Sequence, residues 1–148
     1  MSAFTPRDPD FDGRVRASFA RQAFMAHIGA KIVHLAPGEA DLVCAARAEL
    51  TQQHGYFHAG VTSSIADSAA GYAALSLFEP GTGVLTTEFK INLVAPAKGE
   101  RLIARGRVIR PGRTLTICRS DVFAAAGGSE TLCATALLTM MQLAALSD

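Results

Sequence analysis

Residues 52–77, QQHGYFHAGVTSSIADSAAGYAALSL, decide how the chain is read. The stretch opens with polar and aromatic residues around Gly55 and passes His58. It then becomes a run of Ser, Ala and Gly broken by one carboxylate, Asp67. No Pro interrupts residues 59–74, so a loop feeding a long helix is predicted. Gly71 inside that helix costs about 1 kcal/mol relative to Ala in an isolated helix. So many small residues suit a helix wrapped by a sheet, where bulk would hold the layers apart. A lone acid in such a setting has to be solvated, paired or put to use.

Upstream, residues 1–12 carry Pro6, Asp8, Pro9 and Asp10 and read as an irregular lead-in. Val15, Phe19 and Ala23, with Phe24 beside them, predict one short amphipathic helix from Gly13 to near Gly29. Residues 31–35 and 40–49 read as two strands about the Pro37-Gly38 turn. The long helix ends before Pro80-Gly81. Downstream, residues 84–94 alternate, with Leu85, Thr87, Phe89, Ile91 and Leu93 on one face and Thr86, Glu88, Lys90 and Asn92 on the other. That pattern predicts a half-buried strand. Strands over residues 101–110, 114–123 and 131–141 follow, separated by Pro111-Gly112 and Gly127-Gly128. Helix, two strands, long helix and four strands make an α+β chain. A curved antiparallel sheet wrapped around one central helix, the hotdog fold, satisfies that order, and the pattern alone also admits another α+β arrangement. With 148 residues and no linker or repeat, one domain over 1–148 is expected.

Composition narrows the function. Hydrophobic residues at 49% against 18% charged argue for a globular chain. A net charge of +1 gives no field that recruits nucleic acid, and no basic-aromatic platform supplies one locally. Cys44, Cys118 and Cys133 are odd in number and lack CxxC spacing, which points to reduced, buried thiols. The N-terminus lacks the apolar core of a secretory signal, and no apolar run reaches transmembrane length. A soluble cytoplasmic protein that binds neither nucleic acid nor membrane is expected. His54 and His58 stand four apart, but Gly55 breaks the helix such a metal pair needs.

Three separated motifs, in order, carry a resemblance. His58-Ala59-Gly60, followed by Ala66-Asp67, Ala69 and Gly71, is similar to the HGG…AD signature of hotdog acyl-CoA thioesterases. The phenylacetate-degradation (PaaI-like) branch fits best. Residues 86–96 resemble that family's third strand with its closing Pro, and residues 110–114 its Gly-Arg turn. The resemblance spans roughly residues 31–140. It implies that Asp67 is nucleophile or general base, and that the backbone N–H of Ala59 polarises the thioester carbonyl. It further implies that Gln52, or Gln53 beside it, positions the attacking water, with Thr86 in support. Ala59 departs from the usual Gly, yet a backbone N–H survives the change. No cofactor is implied.

Thioester hydrolysis needs an oxyanion stabiliser and an activated water or nucleophile. The helix start after His58 offers the N–H groups of Ala59 and Gly60 and the positive end of the helix dipole. Asp67 offers the carboxylate. The two stand eight residues apart, about 12 Å along a helix at about 1.5 Å per residue. One carbonyl carbon cannot touch both ends of that separation, so if both groups act together Asp67 must meet the helix start of another subunit. A homodimer with two shared sites follows, with a dimer of dimers (a homotetramer) as a further arrangement.

Other roles stay open. His58 serves as helix cap, loop anchor or general base. Tyr56 and Phe57 line an acyl pocket or pack. Ser64 stands with the substrate-facing candidates or pairs with Asp67. Ser63, Ser64 and Ser68 have no GxSxG context to make a nucleophile. Lys90, Lys98, Arg101, Arg110 and Arg113 are candidates for coenzyme A phosphates, with Arg113 beside Gly112 the leading one. An acyl-CoA-binding module without catalysis is the alternative function. A hotdog hydratase is a third, although its paired His and acid are not found.

Overall fold

The computed structural model describes residues 4–146. In chain order these form α1 (Phe11–Ala20), α2 (Ala23–Ile28), β1 (Ala30–Ala36) and β2 (Glu39–Ala45). A short 3-10 turn (Ala48–Leu50) leads to α3 (Ala59–Leu75), followed by β3 (Gly83–Leu93), β4 (Arg101–Arg110), β5 (Leu115–Ala126) and β6 (Ser129–Leu143). Among the described residues, six strands pair antiparallel in the order β1-β2-β4-β5-β6-β3. The sheet lays its inner face along α3, as the hotdog architecture requires.

The small residues of α3 have a visible reason. A Cβ added at Gly106 of β4 would stand 2.3 Å from the carbonyl carbon and oxygen of Ala69 and 2.7 Å from Ala70 N. Sheet backbone and helix backbone therefore touch, with Ala69, Ala70, Ala73 and Ala74 fully buried between. Tyr72, on another side of α3, meets Phe19 of α1 edge-on at 5.4 Å. At the far end of the helix, Arg14 of α1 closes the chain. Its guanidinium donates to Phe78 O (2.9 Å), Leu75 O (3.2 Å), Glu79 O (3.3 Å) and Thr82 O (3.4 Å). Those carbonyls include the orphan acceptors of a helix C-terminus, where the dipole also favours a cation. Asp8 Oδ2 lies 2.8 Å from Arg14 Nε as a charge contact that balances the buried cation.

Four expectations change. The single N-terminal helix is two, because α1 closes at Arg21 and Gln22 turns extended before α2 begins. No Pro or Gly marks that break. Instead Gln22 Oε1 is held by Ser68 Oγ of α3 at 3.3 Å. The irregular lead-in is shorter than expected, since Phe11 and Asp12 already belong to α1, and its residues 1–3 lie outside the described residues. The second strand stops at Ala45, where the inward alternation of Ala40, Leu42 and Cys44 ends, and the chain turns so that Leu50 is buried. β3 is not half-buried. It is an edge strand, and Leu85, Phe89 and Leu93 are 50%, 49% and 55% exposed. A bulge between Thr86 and Glu88 also swaps its faces, putting Thr86 opposite Met140 on the side of α3, with Phe89 opposite Leu138. The three cysteines are free and buried, with the Cys118 thiol pushed up to about 12 by burial.

Candidate active site

The start of α3 is built by its own cap. His58 is extended (φ −63°, ψ 140°), and its Nδ1 accepts the Gly60 N–H at 2.8 Å. Accepting there places the neutral ring's proton on Nε2. A Cβ at position 60 would meet His58 Nδ1 at 2.9 Å, so Gly is needed at 60 for this fit, whereas the exposed Ala59 has room for its methyl. The cap decides which donor is free. Gly60 N–H is taken, and Ala59 N–H has no partner among the described residues. Of the two groups expected to serve an oxyanion, the structure leaves Ala59.

Around that donor lies a hollow of about 610 Å³. Gln52, Gln53, Tyr56, Phe57 and His58 form its loop side, and Leu93, Val94 and Pro96 from the end of β3 form much of its apolar side. The loop is held by Phe57 N–H to Ala97 O (2.9 Å) and His58 N–H to Leu50 O (2.9 Å). The side-chain oxygen of Gln52 accepts the His54 N–H, which leaves its amide nitrogen as the free donor. Thr62, one turn into α3, also lines this hollow. Its Oγ1 is buried without a hydrogen-bond partner among the described residues, a feature nothing in the sequence pattern announces.

Asp67 lies elsewhere. It lines a separate hollow of about 180 Å³ with Gln22, Ser68, Gly71, Tyr72 and Thr86. Thr86 Oγ1 donates to Asp67 Oδ1 at 2.7 Å. Burial raises the Asp67 pKa above the usual aspartate value, while the Thr86 hydrogen bond works the other way. A carboxylate pushed up by desolvation is a better proton acceptor than a solvated one. Gly71, one turn on, faces open space in the structure and keeps this hollow from filling. Gln22 was not among the residues singled out from sequence. It reaches Asp67's surroundings only because α1 and α2 part there.

The expected residues thus fall into two groups within one chain. Gln52, Tyr56, Phe57, His58 and Ala59 share the larger hollow, and Asp67 and Thr86 share the smaller. Ser64 joins neither. Its hydroxyl donates to Gly60 O at 2.6 Å inside the helix. Arg110 and Arg113 are exposed at the β4–β5 turn, whose Pro111 and Gly112 lie against Leu77 and Phe78 beyond the opposite end of α3.

Comparisons with known proteins agree with this architecture. The family model described as the Thioesterase superfamily matches residues 54–131. A thioesterase family protein from Silicibacter pomeroyi is 48% identical, with a TM-score of 0.88 over 90% of this chain and 98% of that one. SSO1253 of Saccharolobus solfataricus, provisionally named an esterase, is 36% identical over 76% of this chain and 72% of its own length. The PaaI protein of the Escherichia coli phenylacetic acid degradation operon shares the fold at 19% identity, with a TM-score of 0.81 over 90% of this chain and 93% of that one. From the capped helix start through Asp67 to the strands wrapped about them, the chain belongs to the Thioesterase superfamily and carries its helix and sheet in the hotdog arrangement.

Proposed function

We propose that this chain is a cytoplasmic, single-domain acyl-CoA thioesterase that releases free acid and CoA at sites shared between two subunits. The observation that carries the reading is the division of the machinery. A free N–H at Ala59 and a desolvated carboxylate at Asp67 sit in different hollows of one chain. They become one site when a partner brings its Asp67 to this chain's helix start. The edge strand β3, with half-exposed Leu85, Phe89 and Leu93 and β6 as its sole strand neighbour among the described residues, is the surface that favours such pairing.

In this scheme the thioester oxygen lies against Ala59 N–H and the dipole end of α3. Gln52 or Gln53 orients a water. Asp67, steadied by Thr86, takes a proton as the water oxygen adds to the carbonyl carbon. Collapse of the adduct breaks the C–S bond, and the proton passes to the departing thiolate. With Asp67 as nucleophile, its oxygen adds instead, the C–S bond breaks to release CoA thiolate and leave a mixed anhydride, and water then cleaves that anhydride, its protons going to the thiolate and the acid products. A single turnover in ¹⁸O-water that leaves label in Asp67 identifies the nucleophilic route with water attacking the Asp67 carbonyl, since the general-base route puts the label only in the released acid.

The test is CoA release, followed by thiol titration over short, medium and aromatic acyl-CoAs, for native protein and Asp67→Asn. Asparagine still offers Thr86 an acceptor, so the fold is kept while turnover falls by about 10²-fold or more. Equal rates would refute the assignment of Asp67. Absence of turnover in both proteins, with CoA esters still bound, would establish the non-catalytic binding module instead.

A further inference from the structure

Resting on the acyl-CoA reading, the geometry points to Lys98, set over Tyr56 in the hollow adjoining the larger one, as the residue that receives the substrate's phosphates. Within one chain the β4–β5 turn with Arg113, the leading candidate from sequence, stands at the other end of α3 from Ala59. Lys98 Nζ stands 6.0 Å from the centroid of the Tyr56 ring. Tyr56 lines the hollow that holds Ala59, while Lys98 lines an adjoining hollow of about 440 Å³, and buried Phe57 is a wall of both. A thioester seated on Ala59 N–H therefore has a continuous surface, Tyr56 then Lys98, along which its pantetheine arm leaves.

Charge and rigidity favour this lysine. Arg105, Arg107 and Arg119 already pair with Glu130, Asp41 and Asp121. Lys90 is turned to Asn92. Lys98 has no carboxylate partner among the described residues. Its backbone is fixed, because Lys98 N–H donates to Pro96 O (3.1 Å) and Glu100 N–H to Ala125 O (2.8 Å). Between them Gly99 presses on β5 so closely that a Cβ would stand 2.5 Å from Ala125 O. A cation on an anchored stretch, stacked on an aromatic ring, loses less freedom when it meets a phosphate than a lysine on a free loop. Glu100 lines the same smaller hollow, and its carboxylate opposes an anion there. The phosphates consequently lie on the Tyr56 side of Lys98, and removing the Glu100 charge improves their binding.

The experiment compares one acyl group on two carriers, coenzyme A and N-acetylcysteamine, the second having no phosphate. Lys98→Ala is expected to raise KM for the CoA ester about threefold to fivefold with kcat unchanged, to lose that difference at high salt, and to leave the phosphate-free ester untouched. Glu100→Gln is expected to lower KM for the CoA ester alone. Unchanged KM in Lys98→Ala, or an equal change for both carriers, overturns the assignment. A selective rise in Arg113→Ala with none in Lys98→Ala moves the phosphates to the β4–β5 turn and overturns it too. If neither carrier is hydrolysed, the hydrolase reading fails by itself. Calorimetric titration of CoA into native protein and Lys98→Ala then decides the subsite: weaker binding by the variant upholds it, and equal binding overturns it.

Discussion

Replacing Ala59 by proline isolates the oxyanion donor. Ala59 is the first residue of α3, where a proline ring matches the required φ and its missing N–H is one the helix never uses. His58, at φ −63° and ψ 140°, already has the extended backbone that a residue before proline prefers. Position 59 is exposed, and the Gly60 N–H remains capped by His58 Nδ1. Ala59→Pro therefore deletes one hydrogen-bond donor and little else. Loss of a single oxyanion donor costs about 10²- to 10³-fold in kcat. Stability is expected to stay within about 0.5 kcal/mol of native, with melting barely moved. CoA release and a thermal melt on the same preparation measure both. Native turnover in a normally folded Ala59→Pro would refute the placement of the carbonyl at this helix start. The variant also tests sharing. Co-refolding equal amounts of Ala59→Pro and Asp67→Asn gives about half mixed dimers, each with one intact site of two, so about a quarter of native activity should return. A mixture no more active than its parents would show that the two groups do not meet across subunits.

Three further outcomes are expected. Gly106→Ala puts a methyl 2.3 Å from the Ala69 carbonyl, where ordinary contact needs about 3.4 Å or more, so helix and sheet must part. The cost is about 1–3 kcal/mol, read as a lowered urea midpoint; a native midpoint would contradict the backbone contact. Because burial raises the Asp67 pKa, the acid limb of kcat/KM should lie above the ordinary aspartate range, and Thr86→Val, which removes the opposing hydrogen bond, should move it higher still. A limb that stayed put or fell would sever Thr86 from the carboxylate. The same shift has a sign for stability. A raised folded-state pKa contributes stability that is full below the unfolded value and lost as pH rises through the folded one. Asp67→Asn should therefore melt above native protein at neutral pH, with the gap closing in acid.

What sequence made legible was local or strongly periodic. The small residues of α3 declared a close-packed helix, and Gly106 against Ala69 is the contact they allow. The spacing of Ala59 and Asp67 set them apart along α3, and they line two different hollows of the chain. The misses were decided by tertiary contacts. The break at Gln22 answers Ser68, far along the chain, and no residue type at positions 21–22 announces it. The bulge in β3 is set by pairing with β6, so strict alternation put Thr86 on the wrong face. Gly60 lost its donor role to the ring of His58, which spacing cannot show.

Arg14 has a consequence for the order in which the chain gains structure. Its acceptors lie 61 to 68 residues away in sequence, so the clasp on the α3 C-terminus cannot close until α1, α3 and the approach to β3 have all found their places. Contacts of such separation pay their loop-closure entropy before they return anything, and tend to be absent from the folding transition state. An interaction made after that state restrains escape from the native state more than it hastens arrival. The N-terminal arm thus acts as a latch on the lifetime of the folded chain, keeping the far end of the central helix shut once the sheet has closed around it.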